Sequence, residues 1–519
     1  SPTSRRVAPS DAARAPNAAK QMSGCCAPKG ATRKLSGYDN FLAKGPNSPS
    51  VANGVPSVIS AMLYFDELPD DASITQLAQE FYSFDALSSR PQSGWWVPQP
   101  FNRDHHVHAA QAEGEAGLLA FATQKLCEPL KHTADGAPRW ELWVVTNTGA
   151  GRQMLFVRVD HCCADGIALV QVLNRIARRA DGRPLAPASY TRPPRPKQSA
   201  GAACCDALAG LGKNLALPVG GYDAQLAISA PAAARKAGVA YPPGGRRKIV
   251  VVPEHSLNLL KRIKNAASAA EGAAVSINDV VFAAAAGAIR RHTHQTAAEA
   301  AVDGARVHAL VPVAFPRAAD APLTNKWTFV QAAMPVGLRT PAERLSASHA
   351  AFAKIKGSLD APMAALLVAA NAKLPQAIGQ QVGRDLFSRH SIVFSNVPGP
   401  AEPIVIGGKT LVGLQAAYPN LIPQLICVSY NQRMHMNIVV DETIVPQPEL
   451  LASLYIDELR ALAVRFGVDP DDASPAPPRP PPAAATPPSG TTPLLSAQTP
   501  PTTSTSPSAR RGGGGIAMH

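Results

Sequence analysis

Residues 181–248 divide the chain. They carry Arg192-Pro-Pro-Arg-Pro-Lys197, Gly220-Gly221 and Pro242-Pro-Gly-Gly245. Prolines remove backbone donors and paired glycines favour turns, so no continuous strand or long helix runs through them. One short helix near Ala207–Leu217 is expected there, inside a linker or crossover. Two blocks of mixed pattern, 35–180 and 249–473, remain to fold on either side, in keeping with a chain of 519 residues.

The ends have a different character. Residues 474–519 hold twelve Pro, a Ser/Thr-rich run and four consecutive Gly, a composition with too little to bury to offset the cost of ordering, so a disordered tail is expected. Residues 1–34 are Arg-, Ser- and Ala-rich and acid-poor. Disorder is expected there too, although an organelle transit peptide has the same composition.

Charge follows this division. The formal net charge is +13, from 50 Lys+Arg against 37 Asp+Glu. Residues 1–34 contribute +6, residues 181–248 contribute +7 and residues 474–519 contribute +3, while the two blocks come to −4 and +1. The basic excess thus sits in the ends and the connector, which argues against a nucleic-acid groove built into a folded lobe. Two other classes are disfavoured. No apolar run approaches the ~20 residues of a membrane-spanning helix. The eight Cys include the adjacent pairs Cys25–Cys26, Cys162–Cys163 and Cys204–Cys205, with no spacing suited to zinc, and point to a reduced, intracellular protein.

Within the first block, Glu141–Val145 and Gln153–Asp160 read as strands joined by the turn Thr148-Gly-Ala-Gly151. After Asp165-Gly166 the apolar period changes from two to that of a helix, with Ile167, Val170, Leu173, Ile176 and Ala177 on one face. His161 therefore lies at a strand end and Asp165 at a helix start. The second block reads as strand Lys248–Val252, helix Ser256–Ala270, an Ala-rich helix Asn278–Arg291 and strand Ser391–Ser395. A hairpin about Asn431-Gln432 and a closing helix, Leu450–Phe466, complete it.

A histidine so placed can be held rigidly with one ring nitrogen facing a cleft. With an unperturbed pKa near ~6.5 it is mostly neutral at neutral pH and can accept a proton from a hydroxyl. Asp165 anchors the loop, through a hydrogen bond or an Arg pair, and Gly166 permits the sharp exit. The same residues also fit a satisfied core histidine followed by an Asp N-cap, and H-x-x-x-D-G alone leaves both open.

Asp160-His161-Cys-Cys-Ala-Asp165-Gly166 resembles the H-H-x-x-x-D-G motif of acyl-CoA-dependent acyltransferases. Further segments resemble the wax ester synthase/diacylglycerol acyltransferase branch. Pro138-Arg-Trp-Glu141 is similar to its P-L-W-E, and Ser276-Ile-Asn-Asp-Val-Val-Phe-Ala283 to its N-D segment. Leu310–Arg317 with Asn325 is similar to its P-V-S-x-R…N stretch, and Ser395-Asn-Val-Pro-Gly-Pro400 to its S/T-N-V-P-G-P. Ser429-Tyr430 and Asp441 stand where its closing hairpin has S-Y and D. Order and spacing agree from about Leu35 to Phe466. Two positions depart: Asp160 replaces the first His, and Arg139 the Leu.

The resemblance implies an α/β fold of two chloramphenicol-acetyltransferase-like lobes, each a mixed sheet with flanking helices. It implies His161 as general base with Asp165 in the motif, acyl-CoA as co-substrate with no further cofactor or metal, and diacylglycerol or a long-chain fatty alcohol as acceptor. A BAHD-type acyltransferase, a peptide condensation domain and a non-catalytic lipid-binding relative are the alternatives. Asp160 beside the base is expected to raise its pKa or change acceptor preference. Asn278 is a candidate oxyanion donor, though Asn278-Asp279 also suits simple helix capping. Ser395, Asn396, Pro398 and Gly399 are expected in a rigid turn near the tunnel wall, Gly399 at positive φ. Trp140 is a candidate tunnel residue, although the core claims it more readily than the substrate does. His106 and His108 share a strand face, where a structural or channel role outweighs a metal site. Apolar substrates and basic flanks lead to an expected peripheral association with a membrane or lipid droplet (endoplasmic reticulum or plastid envelope in a eukaryote), without secretion.

Overall fold

The computed structural model describes residues 27–44, 56–186, 200–216, 221–238, 246–297 and 299–472. The expected tail 474–519, Cys25–Cys26, Arg192–Lys197, Gly220 and Pro242–Gly245 lie outside these residues. Of the segment expected to be disordered, Arg33 and Lys34 instead pair with Trp96 and Trp95 in a small three-stranded sheet.

Two large mixed sheets organise the rest. The first has seven strands, in the order Val107–Ala112, Trp140–Asn147, Gln153–Asp160, Val58–Phe65, Lys409–Ala417, Ile404–Ile406 and Arg178–Arg179. The second has six, in the order Trp327–Met334, Val307–Ala314, Ile392–Pro398, Gln424–Tyr430, Arg433–Asp441 and Arg247–Ser256. Each sheet has its own apolar core. This is the two-lobed α/β architecture expected, with one feature that chain order hides. Strands Ile404–Ile406 and Lys409–Ala417 come from the second block yet extend the first sheet, Leu414 opposite Leu63 and Ala417 opposite Ser60. Tyr430 secures the crossing. Its buried hydroxyl donates to Leu411 O at 2.7 Å and accepts from Ile404 N–H at 3.1 Å.

The connector is more structured than its composition suggests. Its helix runs from Ala200 to Ala216, longer than expected. Leu226 and Ile228 sit in the second core. Buried Asp223 accepts from Ser391 Oγ at 2.8 Å and His308 N–H at 2.8 Å, so this stretch is pinned to the second sheet.

Local patterns account for the elements around the seam between the sheets. Strand Gln153–Asp160 carries the continuous apolar run Met154–Val157 and is buried on both faces for most of its length, since helices and the second block cover it. The helix Gly166–Ile176 begins where Asp165 caps it, accepting from Ala168 N–H at 2.9 Å. Helix Ile277–Thr296 is buried all round from Asp279 to Ile289, as an Ala-rich helix must be to pass through a core between neighbours. The hairpin at Asn431-Gln432 has both residues at positive φ, 46° and 58°, the primed-turn geometry that matches strand twist.

Candidate active site

His161 lies at the end of strand Gln153–Asp160, on the seam between the sheets. Its backbone N–H donates to Ser57 O at 2.8 Å, and its half-buried ring packs at 5.6 Å from Trp327 and 5.4 Å from Tyr418. Nδ1 is 2.9 Å from Asn325 Oδ1. The other partners of Asn325 fix the direction of that bond. Asn325 Nδ2 donates to Asp39 Oδ1 at 3.0 Å and to the His161 carbonyl at 2.6 Å, groups that only accept. Trp327 Nε1–H donates to the same Asn325 Oδ1 at 3.2 Å. Oδ1 is therefore the acceptor, Nδ1 of neutral His161 carries the hydrogen, and Nε2 keeps its lone pair.

Asp39 closes this network. It is fully buried, and among the described residues only neutral groups donate to it: Asn325 N–H at 2.8 Å, Asn325 Nδ2, Thr324 Oγ1 at 2.7 Å and Ser36 N–H at 3.3 Å. These bonds hold the Asn325 amide in the orientation that presents Oδ1 to the imidazole. Burial holds the His161 pKa below its ordinary value of 6.5, while a bond to its own backbone, Asp165, Asn325 and Asp160 pull it upward. The upward pull expected of Asp160 is present but outweighed.

Asp165 does not face the ring. Its carboxylate caps the helix, accepts from Lys326 N–H at 2.8 Å and pairs with buried Arg317 at 2.5 Å. It thus ties the active-site turn to the loop that carries Asn325, and holds the base in place without touching it. Gly166 approaches Val397, where an added Cβ would meet Cγ2 at 3.5 Å, bringing strand Ile392–Pro398 against the turn.

The two positions that depart from the family pattern contact each other. Arg139 Nη1 donates to Asp160 Oδ2 at 3.2 Å and to Ala43 O at 3.0 Å, while Asp160 Oδ1 accepts from Cys162 N–H at 2.9 Å. Arg139 thereby also braces helix Gly37–Ala43, which carries Asp39. The Asp160 carboxylate, at the end of an interior strand, raises the Arg139 pKa against the opposing effect of burial.

Strand Ile392–Pro398 pairs with Val307–Ala314 only at Ile392 and Val393. Beyond that the strands part, and Ser395, Asn396 and Val397 stay half-exposed in the opening. Asn396 Nδ2 donates to Asn278 Oδ1 at 2.6 Å, so two of the candidate residues meet, and Asn278 Nδ2 keeps its N–H groups free of protein acceptors among the described residues. Asp279 has a different place: it closes a capping box with Ser276 and bonds His349 Nδ1 at 2.9 Å. Gly399 is not at positive φ. It is required because an added Cβ would lie 2.5 Å from Ser429 O, while Pro398 ends the strand exposed. Trp140 is no tunnel residue: it is buried in the first core, its Nε1–H donates to Leu87 O at 2.8 Å, and His106 stacks on it at 4.1 Å. His106 and His108 are structural, both held by burial at a pKa of about 4. Among the described residues no group of His, Cys, Asp or Glu could hold a metal ion, and no helix is long and apolar enough to cross a membrane.

A cavity of about 660 Å³ lies at the far end of helix Gly166–Ile176, lined by Phe84, Arg175, Arg178 and Leu323 among others and not by His161. Arg175 rests over the Phe84 ring at 5.3 Å, and Arg178 Nη1 donates to the carbonyls of Arg175 and Ala177.

Residue types alone reveal part of this site. Asn325 and Arg317 belong to a stretch that resembles the family, but nothing in that stretch states their roles. Asp39 carries no signal, because Ser36-x-x-Asp39 reads as a helix cap and its second role arises only when Asn325 arrives from 286 residues away.

Two family models match the chain. The wax ester synthase/diacylglycerol acyltransferase catalytic domain covers residues 84–318 and the WS/DGAT C-terminal domain residues 323–463. A Mycobacterium bovis protein that bears the name diacylglycerol O-acyltransferase is 24% identical over 405 residues, covering 73% of this chain and 78% of its own. The structure is similar to that of a wax ester synthase/diacylglycerol acyltransferase from Marinobacter aquaeolei, with TM-score 0.57 and 17% identity over 84% of this chain and 100% of that one. It is also similar to the first condensation domain of the CDA synthetase, with TM-score 0.53 and 14% identity over 85% of this chain and 98% of that one.

Proposed function

From the premise that the chain belongs to the wax ester synthase/diacylglycerol acyltransferase family and is an acyltransferase, we propose that it esterifies diacylglycerol or a long-chain fatty alcohol with the acyl group of acyl-CoA. His161 Nε2 is the base. The observation that carries this is the His161–Asn325 bond, which fixes the hydrogen on Nδ1 and leaves Nε2 unprotonated where the two sheets meet.

His161 Nε2 takes the proton of the acceptor hydroxyl as its oxygen attacks the thioester carbonyl. The imidazolium that forms is favoured by the nearby Asp165 and Asp160 carboxylates and by its bond to Asn325 Oδ1. Asn278 Nδ2, held in place by Asn396, is the donor we assign to the tetrahedral oxyanion. Collapse of the intermediate breaks the carbon–sulfur bond, and Nε2–H returns its proton to the coenzyme A thiolate. The ester and free coenzyme A leave, and His161 is neutral again.

The cavity at Arg175 and Arg178 suits the phosphates of coenzyme A. From Gly166 to Arg175 the helix advances about 14 Å at 1.5 Å per residue, a distance the pantetheine arm spans on its way to His161.

Purified protein given labelled palmitoyl-CoA with hexadecanol or diacylglycerol is expected to yield labelled ester, and His161→Ala to abolish it. Equal turnover by wild type and variant overturns the assignment. The same panel of acceptors decides between wax ester and triacylglycerol.

A further inference from the structure

We propose that helices Asp360–Asn371 and Gln376–Arg389, with helix Ala200–Ala216 beside them, form the face by which this enzyme docks on a lipid surface. The proposal rests on the acyltransferase reading above, since it concerns how an apolar acceptor reaches His161.

Six large aliphatic side chains on these helices and on the turn between the first two are exposed to solvent: Leu208, Leu215, Leu366, Leu374, Ile378 and Val382, between 43% and 63% exposed. Among the described residues only two other large apolar side chains are comparably exposed, Leu338 and Val464. The three helices adjoin. Leu359 N–H donates to Asp206 Oδ2 at 3.1 Å, Gly210 abuts Met363, and Gly379 lies against Asn371. Ile378 and Val382 are four apart, on one face of their helix. A cluster of this kind marks an interaction site more often than a solvated surface.

Charge and continuity identify the occupant. Between Ala361 and Arg384 the charged residues are Lys373 and Arg384, both cations, and no carboxylate interrupts the stretch. Asp360 and Asp385 bound the stretch, and exposed aliphatics interspersed with cations alone suit the boundary of an anionic lipid layer. The other side of the same helix adjoins the site. Phe387, on the same helix as Ile378 and Val382, meets Phe329 at 5.6 Å. Phe329 meets Trp327 at 4.8 Å, and Trp327 meets His161 at 5.6 Å. On the inner side Gly379 abuts Phe41, in the helix that carries Asp39. These contacts place the inner side of the helix that exposes Ile378 and Val382 against the wall of the base, so that a docked lipid layer would lie close to the site that uses an apolar acceptor.

The test pairs the full chain with its Ile378→Glu/Val382→Glu variant, and with Leu366→Glu as an independent single change. All three positions are exposed, and matching thermal unfolding establishes that the variants fold. Flotation on phosphatidylcholine–phosphatidylserine vesicles is expected to fall at least about ten-fold, as for loss of one or two buried aliphatic side chains. Turnover of emulsified diacylglycerol should fall with it, while turnover of water-soluble butanol stays unchanged. Variants that float like the wild type overturn the proposal. So does a loss of self-association, measured by sedimentation equilibrium, with vesicle binding intact, which would make the face a contact between copies. A wild type that binds vesicles through this face yet esterifies no alcohol would sink the acyltransferase reading and leave the docking face standing.

Discussion

The Nδ1–H of His161 donates to Asn325 Oδ1 over 2.9 Å, and the amide nitrogen of Asn325 donates to buried Asp39 over 3.0 Å. The base is thus oriented by an amide, with the carboxylate one residue further away. Asp39 reaches the ring only by holding the amide in one of its two orientations.

Loss of the amide should therefore damage kcat more than KM. For Asn325→Ala we expect a fall in kcat of about 10²-fold, within the range for general-base assistance. For Asp39→Asn we expect a smaller fall, about ten-fold. The carbon shifts of the His161 ring in labelled protein report the tautomer. A hydrogen found on Nε2 in the wild type would contradict the arrangement, as would variants that change KM alone.

The acid limb of the rate profile should lie low. His161 must be neutral to act, and burial holds its pKa below 6.5. Turnover at limiting substrate should rise with pH through an inflection below 6.5 and then level off. Asp160 pulls that pKa upward, so Asp160→Asn should move the inflection further toward acid. A profile that titrates above 6.5 would show that another group controls the step.

Arg139 and Asp160 should behave as a coupled pair. Each departs from the family pattern, and their 3.2 Å contact makes one the compensation for the other. Asp160→Asn leaves a mostly buried guanidinium without its carboxylate. Arg139→Leu does the reverse. A double-mutant cycle in urea unfolding should give a coupling of about 1–3 kcal/mol, with the double variant less destabilised than the two single losses added together. Simple additivity would mean that the two departures are unrelated.

This pair shows what the sequence could and could not convey. Strand Gln153–Asp160, helix Gly166–Ile176 and the hairpin at Asn431-Gln432 follow from local apolar period and turn chemistry, and the structure has them within one or two residues. That Arg139 meets Asp160 depends on strand register, with Trp140 opposite Val159, which no local pattern states. The crossing of residues 404–417 into the first sheet is hidden for the same reason: Lys409–Ala417 reads as a strand wherever it pairs. Trp140 suits a core better than a tunnel on residue type alone, and the Leu87 carbonyl that takes its N–H places it in the core.

Arg175 and Arg178 offer a separation by substrate. Replacing both with Ala should raise KM for palmitoyl-CoA several-fold and leave kcat nearly unchanged, since neither touches the turn that holds His161. Palmitoyl-pantetheine, which lacks the nucleotide phosphates, should be used equally well by wild type and variant. An equal rise in KM for both substrates would remove the phosphates from this cavity.

Tyr430 should matter to both stability and catalysis. Its hydroxyl is the single group that ties the crossing hairpin to the second sheet at both Leu411 O and Ile404 N–H. Tyr430→Phe keeps the ring in its core and leaves that carbonyl and that N–H buried without their partner, which costs about 1–3 kcal/mol. The loss is larger than for an ordinary hydrogen bond because neither group can reach water in exchange. The hairpin's last strand ends at Ala417, and the next residue, Tyr418, packs edge-on against His161 at 5.4 Å with its hydroxyl 3.0 Å from Ser57 Oγ. A strand freed at Leu411 therefore loosens one wall of the base. We expect a lower urea midpoint together with a several-fold lower kcat, whereas Ser429→Ala, whose hydroxyl makes only a 3.4 Å contact with Gly399 N–H, should alter neither by a comparable amount. If Tyr430→Phe unfolds like the wild type, the crossing is held by its other ties, among them the bonds of Asn437 Nδ2 to Gln415 Oε1 and Ala416 O.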